Sequence, residues 1–140
     1  MRGVWVGLML LLLPLGASAK EVLKGPFPFE VLEVIDGDTF RARITIWLGQ
    51  HVEVKVRLKG VDTPEMRGKC AAEKELAQAA KKFTAAWLKQ NPSVLTNVHY
   101  GTYAGRVLAT TYSKKGTLGD ALLAQNLAKP YRGRRATWCS

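Results

Sequence analysis

Three short segments of the sequence place ionisable side chains where a hydrophobic core would not need them. They are residues 34–39 (VIDGDT), 56–65 (VRLKGVDTPE) and 104–108 (AGRVL). Carboxylates held within a few ångströms of one another repel strongly unless a cation joins them. If Asp38, Asp62 and Glu65 converge, their oxygen ligands favour a hard ion, Ca²⁺ or Mg²⁺, over zinc or copper. Asp36, by contrast, is interpreted as part of an ordinary turn with Gly37.

Two arginines accompany these carboxylates. Arg57 precedes Asp62 in the second segment, and Arg106 opens the strand of the third. Guanidinium groups bind phosphate oxygens in a bidentate manner. A cation that polarises a phosphate, a carboxylate that activates water and two arginines that stabilise transition-state charge together suit phosphodiester hydrolysis. The residue types therefore predict a phosphodiesterase, whereas Arg41 and Arg43 are expected to form surface salt bridges.

The elements that must position these groups follow from the periodicity of apolar residues. Apolar and polar residues alternate strictly on both sides of Gly49, which predicts a β-hairpin. We expect strands at residues 27–35, 39–48, 52–59, 94–100 and 106–112, and helices at 70–90 and 117–127. This order predicts an α+β fold, a five-stranded OB-type barrel with a helix between strands three and four and a short C-terminal helix.

One face of the long helix is expected to lie on the core of the barrel. The apolar residues recur at helical spacing and form a single stripe, made of Ala72, Leu76, Ala80, Phe83 and Trp87. A stripe of this kind normally faces the hydrophobic core.

Residues 1–19 have the pattern of a signal peptide, with Arg2, an apolar run and a small-residue cleavage site (ASA). A transmembrane anchor is the alternative. The uninterrupted apolar run ends at Pro14 and is far shorter than the roughly 20 residues that a span requires. We therefore expect a cleaved signal peptide and a single exported domain at residues 20–140, periplasmic or secreted, without stable membrane insertion after cleavage.

The charge of the chain indicates a polyanionic partner. There are 21 Lys and Arg residues against 11 Asp and Glu residues, a formal net charge of +10. Such an excess favours binding to nucleic acid or to an anionic surface. The basic residues are spread over several segments, as expected for a binding face, and nothing in the sequence requires more than a monomer.

Cys70 and Cys139 are the only cysteines of the sequence. An even pair in an exported protein favours a disulfide, and two unrelated thiols are the alternative. The bond would close a loop of about 70 residues, for which the chain-entropy model gives a stabilisation of about 4 kcal/mol.

The segments VIDGDTF, VRLKGVDTPE and GRVLA, in this order and spacing, resemble the thermonuclease (staphylococcal nuclease-like) family over about residues 29–129. The resemblance implies an OB-fold, Ca²⁺-dependent endonuclease that hydrolyses DNA and RNA with little sequence preference and leaves 3′-phosphate ends. By position, Asp38 and Asp62 correspond to the calcium carboxylates of the family. Thr63 corresponds to the ligand that acts through its backbone carbonyl.

The same resemblance implies the remaining roles. Glu65 corresponds to the general base or water-orienting group, and Arg57 and Arg106 correspond to the two phosphate-binding arginines. The family usually has a tyrosine directly before Gly-Arg, where this chain has Ala104 preceded by Tyr103. Tyr103 is therefore an expected substrate contact. Tyr131, in residues 129–132 (KPYR), is expected to replace one of the family's nucleotide-stacking tyrosines. A non-catalytic OB-fold module that binds nucleic acid or an anionic surface is the alternative function.

Overall fold

The computed structural model of the chain describes Gly3 and residues 19–140. Within residues 19–140 the strands are β1 (Phe27–Asp36), β2 (Thr39–Trp47), β3 (Gln50–Leu58), β4 (Val61–Asp62), β5 (Ser93–Tyr100), β6 (Arg106–Ser113), β7 (Gly116–Thr117) and β8 (Lys129–Pro130). The helices are α1 (Ala71–Gln90) and α2 (Leu118–Ala124). The predicted signal peptide, apart from Gly3 and Ala19, lies outside the described residues.

Five of the described strands close into the predicted barrel. Antiparallel pairing joins β1 to β2, β2 to β3, β1 to β5 and β5 to β6. A parallel pairing of β3 with β6 closes the ring. The barrel encloses a core of Phe40, Ala42, Val56, Leu95 and Ala109, all fully buried. These pairings confirm the predicted α+β fold with an OB-type barrel. The barrel forms because each alternating strand turns its apolar face inward.

The face of helix α1 that lies against the barrel agrees only in part with the predicted stripe, with which it shares Ala80. Its buried residues are Glu73, Ala77, Ala80 and Thr84, whereas Ala72 and Leu76 of the predicted stripe are exposed. Phe83 and Trp87 do pack against the core.

The reason for the difference is the close approach of α1 to the β1–β2 turn. The Thr84 Oγ1 hydroxyl donates to the carbonyl of Gly37 at 2.6 Å. A Cβ atom on Gly37 would lie 2.6 Å from Cβ of Ala80. Only small side chains fit between backbones this close, so the contact face is selected by size as well as by hydrophobicity.

The C-terminal part of the chain returns to the barrel through two contacts. Strand β8 pairs with β4. The disulfide between Cys70 and Cys139, predicted from the sequence, is present and joins the start of α1 to the end of the chain. In the described part of the chain, no helix is both long and apolar enough to cross a membrane.

Candidate metal centre

The β1–β2 turn holds Asp38 in a fixed orientation at one end of the barrel. Thr39 Oγ1 donates to Asp38 Oδ1 at 2.9 Å, and the backbone N–H of Thr63 donates to Asp38 Oδ2 at 3.0 Å. The Leu58 N–H donates to the Asp38 carbonyl at 2.8 Å. Asp38 is almost completely buried, so these bonds replace the water that would otherwise solvate its carboxylate.

Arg57, at the end of β3, bridges Asp38 to Asp62. One guanidinium nitrogen lies 3.3 Å from Asp38 Oδ2 and 3.2 Å from Asp62 Oδ1. The other donates to the carbonyls of Leu58 and Val61 at 2.8 and 2.6 Å. The two aspartates, distant in sequence, therefore share the Arg57 guanidinium as their counter-charge.

The bend between β3 and β4 makes this bridge possible. Gly60 adopts a φ of +80°, in the left-handed region that glycine occupies at little cost. The chain thus turns back within a few residues, so that Arg57 reaches the carbonyl of Val61 and the carboxylate of Asp62.

Glu65 lies at the open edge of the cluster, with 47 % of its side chain exposed. Its loop is held by Glu73, a buried residue of α1 that the sequence analysis placed in no site. Glu73 accepts a hydrogen bond from the Lys69 N–H at 2.9 Å and a longer one from the Glu65 N–H at 3.4 Å. A glutamate three residues after the helix N-cap often accepts from backbone N–H groups that precede the helix, and this position could have signalled such a role.

Asp36 belongs to the cluster, and its interpretation as a simple turn residue was incomplete. Burial raises the pKa of Asp36, and the nearby charges of Asp38 and Glu65 raise it further, against the opposing effect of a backbone hydrogen bond from Met66.

Arg135 also enters the cluster, from the C-terminal segment. One of its guanidinium nitrogens lies 2.5 Å from Glu65 Oε1 and 3.8 Å from Asp62 Oδ1. The other donates to the carbonyl of Thr63 at 3.4 Å. Arg135 is not among the predicted site residues, because only the path of the chain after β8 brings it here.

The donor set fits a hard divalent cation. The Arg135 guanidinium is a stand-in cation that already contacts oxygens of Asp62, Thr63 and Glu65. All of these donors are oxygen atoms, which Ca²⁺ and Mg²⁺ prefer.

The second predicted arginine, Arg106, lies on the neighbouring strand. The parallel register aligns Arg106 with Lys55 and Leu108 with Arg57. Two residues along one strand and one step across the sheet separate the Cα atoms of Arg57 and Arg106 by about 8 Å. Among the described residues, the buried Nε of Arg106 has no hydrogen-bond partner, which leaves it available for an anionic ligand.

The two predicted tyrosines each contact one of these arginines. The Arg106 guanidinium lies 4.8 Å from the ring centre of Tyr103, and the Arg57 guanidinium lies 5.8 Å from that of Tyr131. Tyr103 is largely exposed, and Tyr131 is nearly half exposed. The cation–π contacts keep the aromatic faces next to the guanidinium groups while leaving area free for another planar partner. Arg41 and Arg43 instead pair with surface glutamates, as expected.

The closed barrel and this cluster define a nuclease-like or nucleic-acid-binding OB-fold domain. A family model, the staphylococcal nuclease homologue, matches residues 55–138. The chain belongs to this family. The matched residues include Arg57, Asp62, Glu65 and Arg106, whereas Asp38 precedes them and joins the site through its contacts with Arg57 and Thr63. A search of curated proteins finds no match.

Proposed function

We propose that this protein is an exported, Ca²⁺-dependent endonuclease that hydrolyses DNA and RNA with little sequence specificity. The observation that carries the proposal is the pair of buried aspartates bridged by Arg57, with the half-exposed Glu65 beside them. The expected signal peptide supports export, and the positive charge of the chain supports a nucleic acid substrate.

Asp38, Asp62 and the Thr63 carbonyl are the groups that would hold the ion. When bound, Ca²⁺ would supply positive charge that orients and polarises a phosphodiester. Arg57 and Arg106 bind the non-bridging phosphate oxygens and stabilise the charge that grows on them in the five-coordinate transition state. The unpartnered Nε of Arg106 is available for this contact.

Glu65 acts as the general base in this proposal. It accepts a proton from a water molecule, whose oxygen attacks phosphorus while the bond to the 5′-oxygen breaks. The products are a 3′-phosphate end and a 5′-hydroxyl end, the latter formed when the leaving oxygen takes up a proton. The partial exposure of Glu65 allows water to reach it, in contrast to the buried aspartates.

The test compares Glu65→Gln with Glu75→Gln, an exposed glutamate of α1. Plasmid DNA, single-stranded DNA and RNA are incubated with each protein in Ca²⁺, in Mg²⁺ or in a chelator. We expect cleavage that requires Ca²⁺ and a kcat for Glu65→Gln that is about 10²–10⁴-fold lower, with Glu75→Gln unchanged.

Two results would contradict the proposal. Cleavage that persists in the chelator would exclude the metal, and a Glu65→Gln kcat within tenfold of the original would exclude Glu65 as the base. Binding of nucleic acid without cleavage under every ion condition would instead favour the non-catalytic OB-fold module.

A further inference from the structure

The C-terminal segment, defined here as residues 131–139, lies across the metal centre and is anchored at both ends. At its start, the Tyr131 N–H donates to the Gly60 carbonyl at 3.0 Å. In its middle, the Ala136 N–H donates to Asp62 Oδ2 at 2.9 Å. At its end, Cys139 is covalently bound to Cys70. The segment therefore has little freedom to leave the site as long as the disulfide is intact.

Arg135 lies between these anchors and contacts two of the three groups that would hold the ion. One guanidinium nitrogen lies 3.8 Å from Asp62 Oδ1, and the other donates to the Thr63 carbonyl at 3.4 Å. Its contact with Glu65 holds the guanidinium beside them. A guanidinium and a divalent cation repel each other and compete for the same oxygen atoms. Arg57 also contacts Asp38 and Asp62, but it is largely buried and held by two backbone carbonyls. Arg135 is the guanidinium of the two that can withdraw when the ion takes its ligands. Nearly half of its side chain is exposed, so an outward rotation into solvent is sterically open.

We propose that Arg135 is an internal cation that competes with the divalent ion for the metal centre, and that the Cys70–Cys139 disulfide keeps it in place. The inference rests on the proposed function, because it presupposes that the centre binds a metal. Without metal, Arg135 neutralises part of the carboxylate charge and stabilises the empty centre. With metal, the same contacts lower the apparent affinity, so that the protein responds only to higher concentrations of the ion.

The neighbouring residue offers a matched control. Arg134 is exposed and forms no ion pair with any residue in the range 19–140. Arg134→Gln and Arg135→Gln each remove one positive charge from the same segment. A general effect of net charge on Ca²⁺ binding would therefore appear equally in both variants, whereas direct competition would appear only in Arg135→Gln.

The affinity for Ca²⁺ is measured by isothermal titration calorimetry of CaCl₂ into the disulfide-bonded protein and its variants. We expect Arg135→Gln to bind Ca²⁺ about tenfold more tightly, within the usual range of coupling between two sites, and Arg134→Gln to stay within about twofold of the original. Replacing both cysteines by serine releases the segment. Serine is a favoured N-cap for α1, and we expect an intermediate gain in affinity.

Equal affinity of Arg135→Gln and Arg134→Gln would overturn the inference, as would weaker binding by Arg135→Gln or an absence of Ca²⁺ binding in both. Cleavage of DNA at saturating Ca²⁺ is measured separately. Tighter binding by Arg135→Gln in a protein that does not cut nucleic acid would support the internal cation and refute the nuclease. Cleavage of DNA with no change in Ca²⁺ affinity would support the nuclease and refute the internal cation.

Discussion

Replacing Arg57 by Ala tests whether the bridge between the two aspartates stabilises the fold. Only 12 % of the Arg57 side chain is exposed, and Asp62 is fully buried. The substitution removes two backbone hydrogen bonds and leaves Asp38 and Asp62 facing each other without their shared cation. Loss of one partner of a buried ion pair typically costs about 3–5 kcal/mol, because an uncompensated charge stays buried. We expect a loss of that size in the free energy of unfolding.

Urea denaturation at pH 7 in the presence of a chelator measures this loss. The chelator is needed because a bound cation would itself offset the missing charge. The urea concentration at the midpoint is expected to fall, while the slope of the free energy of unfolding against urea concentration stays constant. This is the pattern of a change in stability alone. Arg41→Ala is the control, since Arg41 forms only exposed pairs with Glu33 and Glu53. Such pairs contribute about 0–1 kcal/mol.

A loss below about 1 kcal/mol for Arg57→Ala, equal to that of the control, would refute the reasoning. It would mean that water or another group solvates Asp62 once Arg57 is gone. A double variant, Arg57→Ala with Asp62→Asn, sharpens the test. We expect the loss in the free energy of unfolding of the double variant to be smaller than the sum of the two single losses by about 0.5–3 kcal/mol, because the residues contact each other directly.

Two further substitutions test the β1–β2 turn. Burial raises the pKa of Asp36 above its ordinary value of 3.8, so the folded protein loses stability as the pH rises above that value and Asp36 ionises. In a chelator, Asp36→Asn should therefore raise the melting temperature more at pH 7 than at pH 4. A gain that is independent of pH would contradict burial of the carboxylate as the cause. Gly37→Ala places a Cβ 2.6 Å from that of Ala80 and should cost about 1–3 kcal/mol in urea denaturation. Gly101→Ala, where the nearest atom lies at 3.5 Å, is the control, and equal losses would argue against close packing of α1.

Much of the barrel could be predicted from the sequence because its signals are local. Alternation of apolar and polar residues around Gly49 predicted the β2–β3 hairpin, and helical spacing predicted α1. Both predictions have boundaries close to those observed. The second helix begins as predicted, since the Thr117 hydroxyl caps it by accepting from the Asp120 N–H. It ends at Ala124, earlier than expected, and Asn126 follows with a positive φ.

Part of the candidate site could also be predicted from the sequence, but from residue chemistry and not from periodicity. Asp38, Asp62, Glu65 and Arg57 stand in turns and at strand ends, where ionisable groups are not needed for folding, so their chemistry alone singled them out. Their convergence was a hypothesis: Arg57 contacts both aspartates, and Arg135 contacts Asp62 and Glu65. Their catalytic and metal-binding roles are still predictions.

The tertiary structure alone decided three features of this protein. The face of α1 follows from a close approach to Gly37, which depends on the distance between backbones and not on hydrophobic spacing. Glu73 becomes a support for the Glu65 loop only because α1 packs there. Arg135 meets Thr63 across 72 residues of sequence. Contacts at such separation depend on how the whole chain closes, and no local pattern of residue types encodes that path.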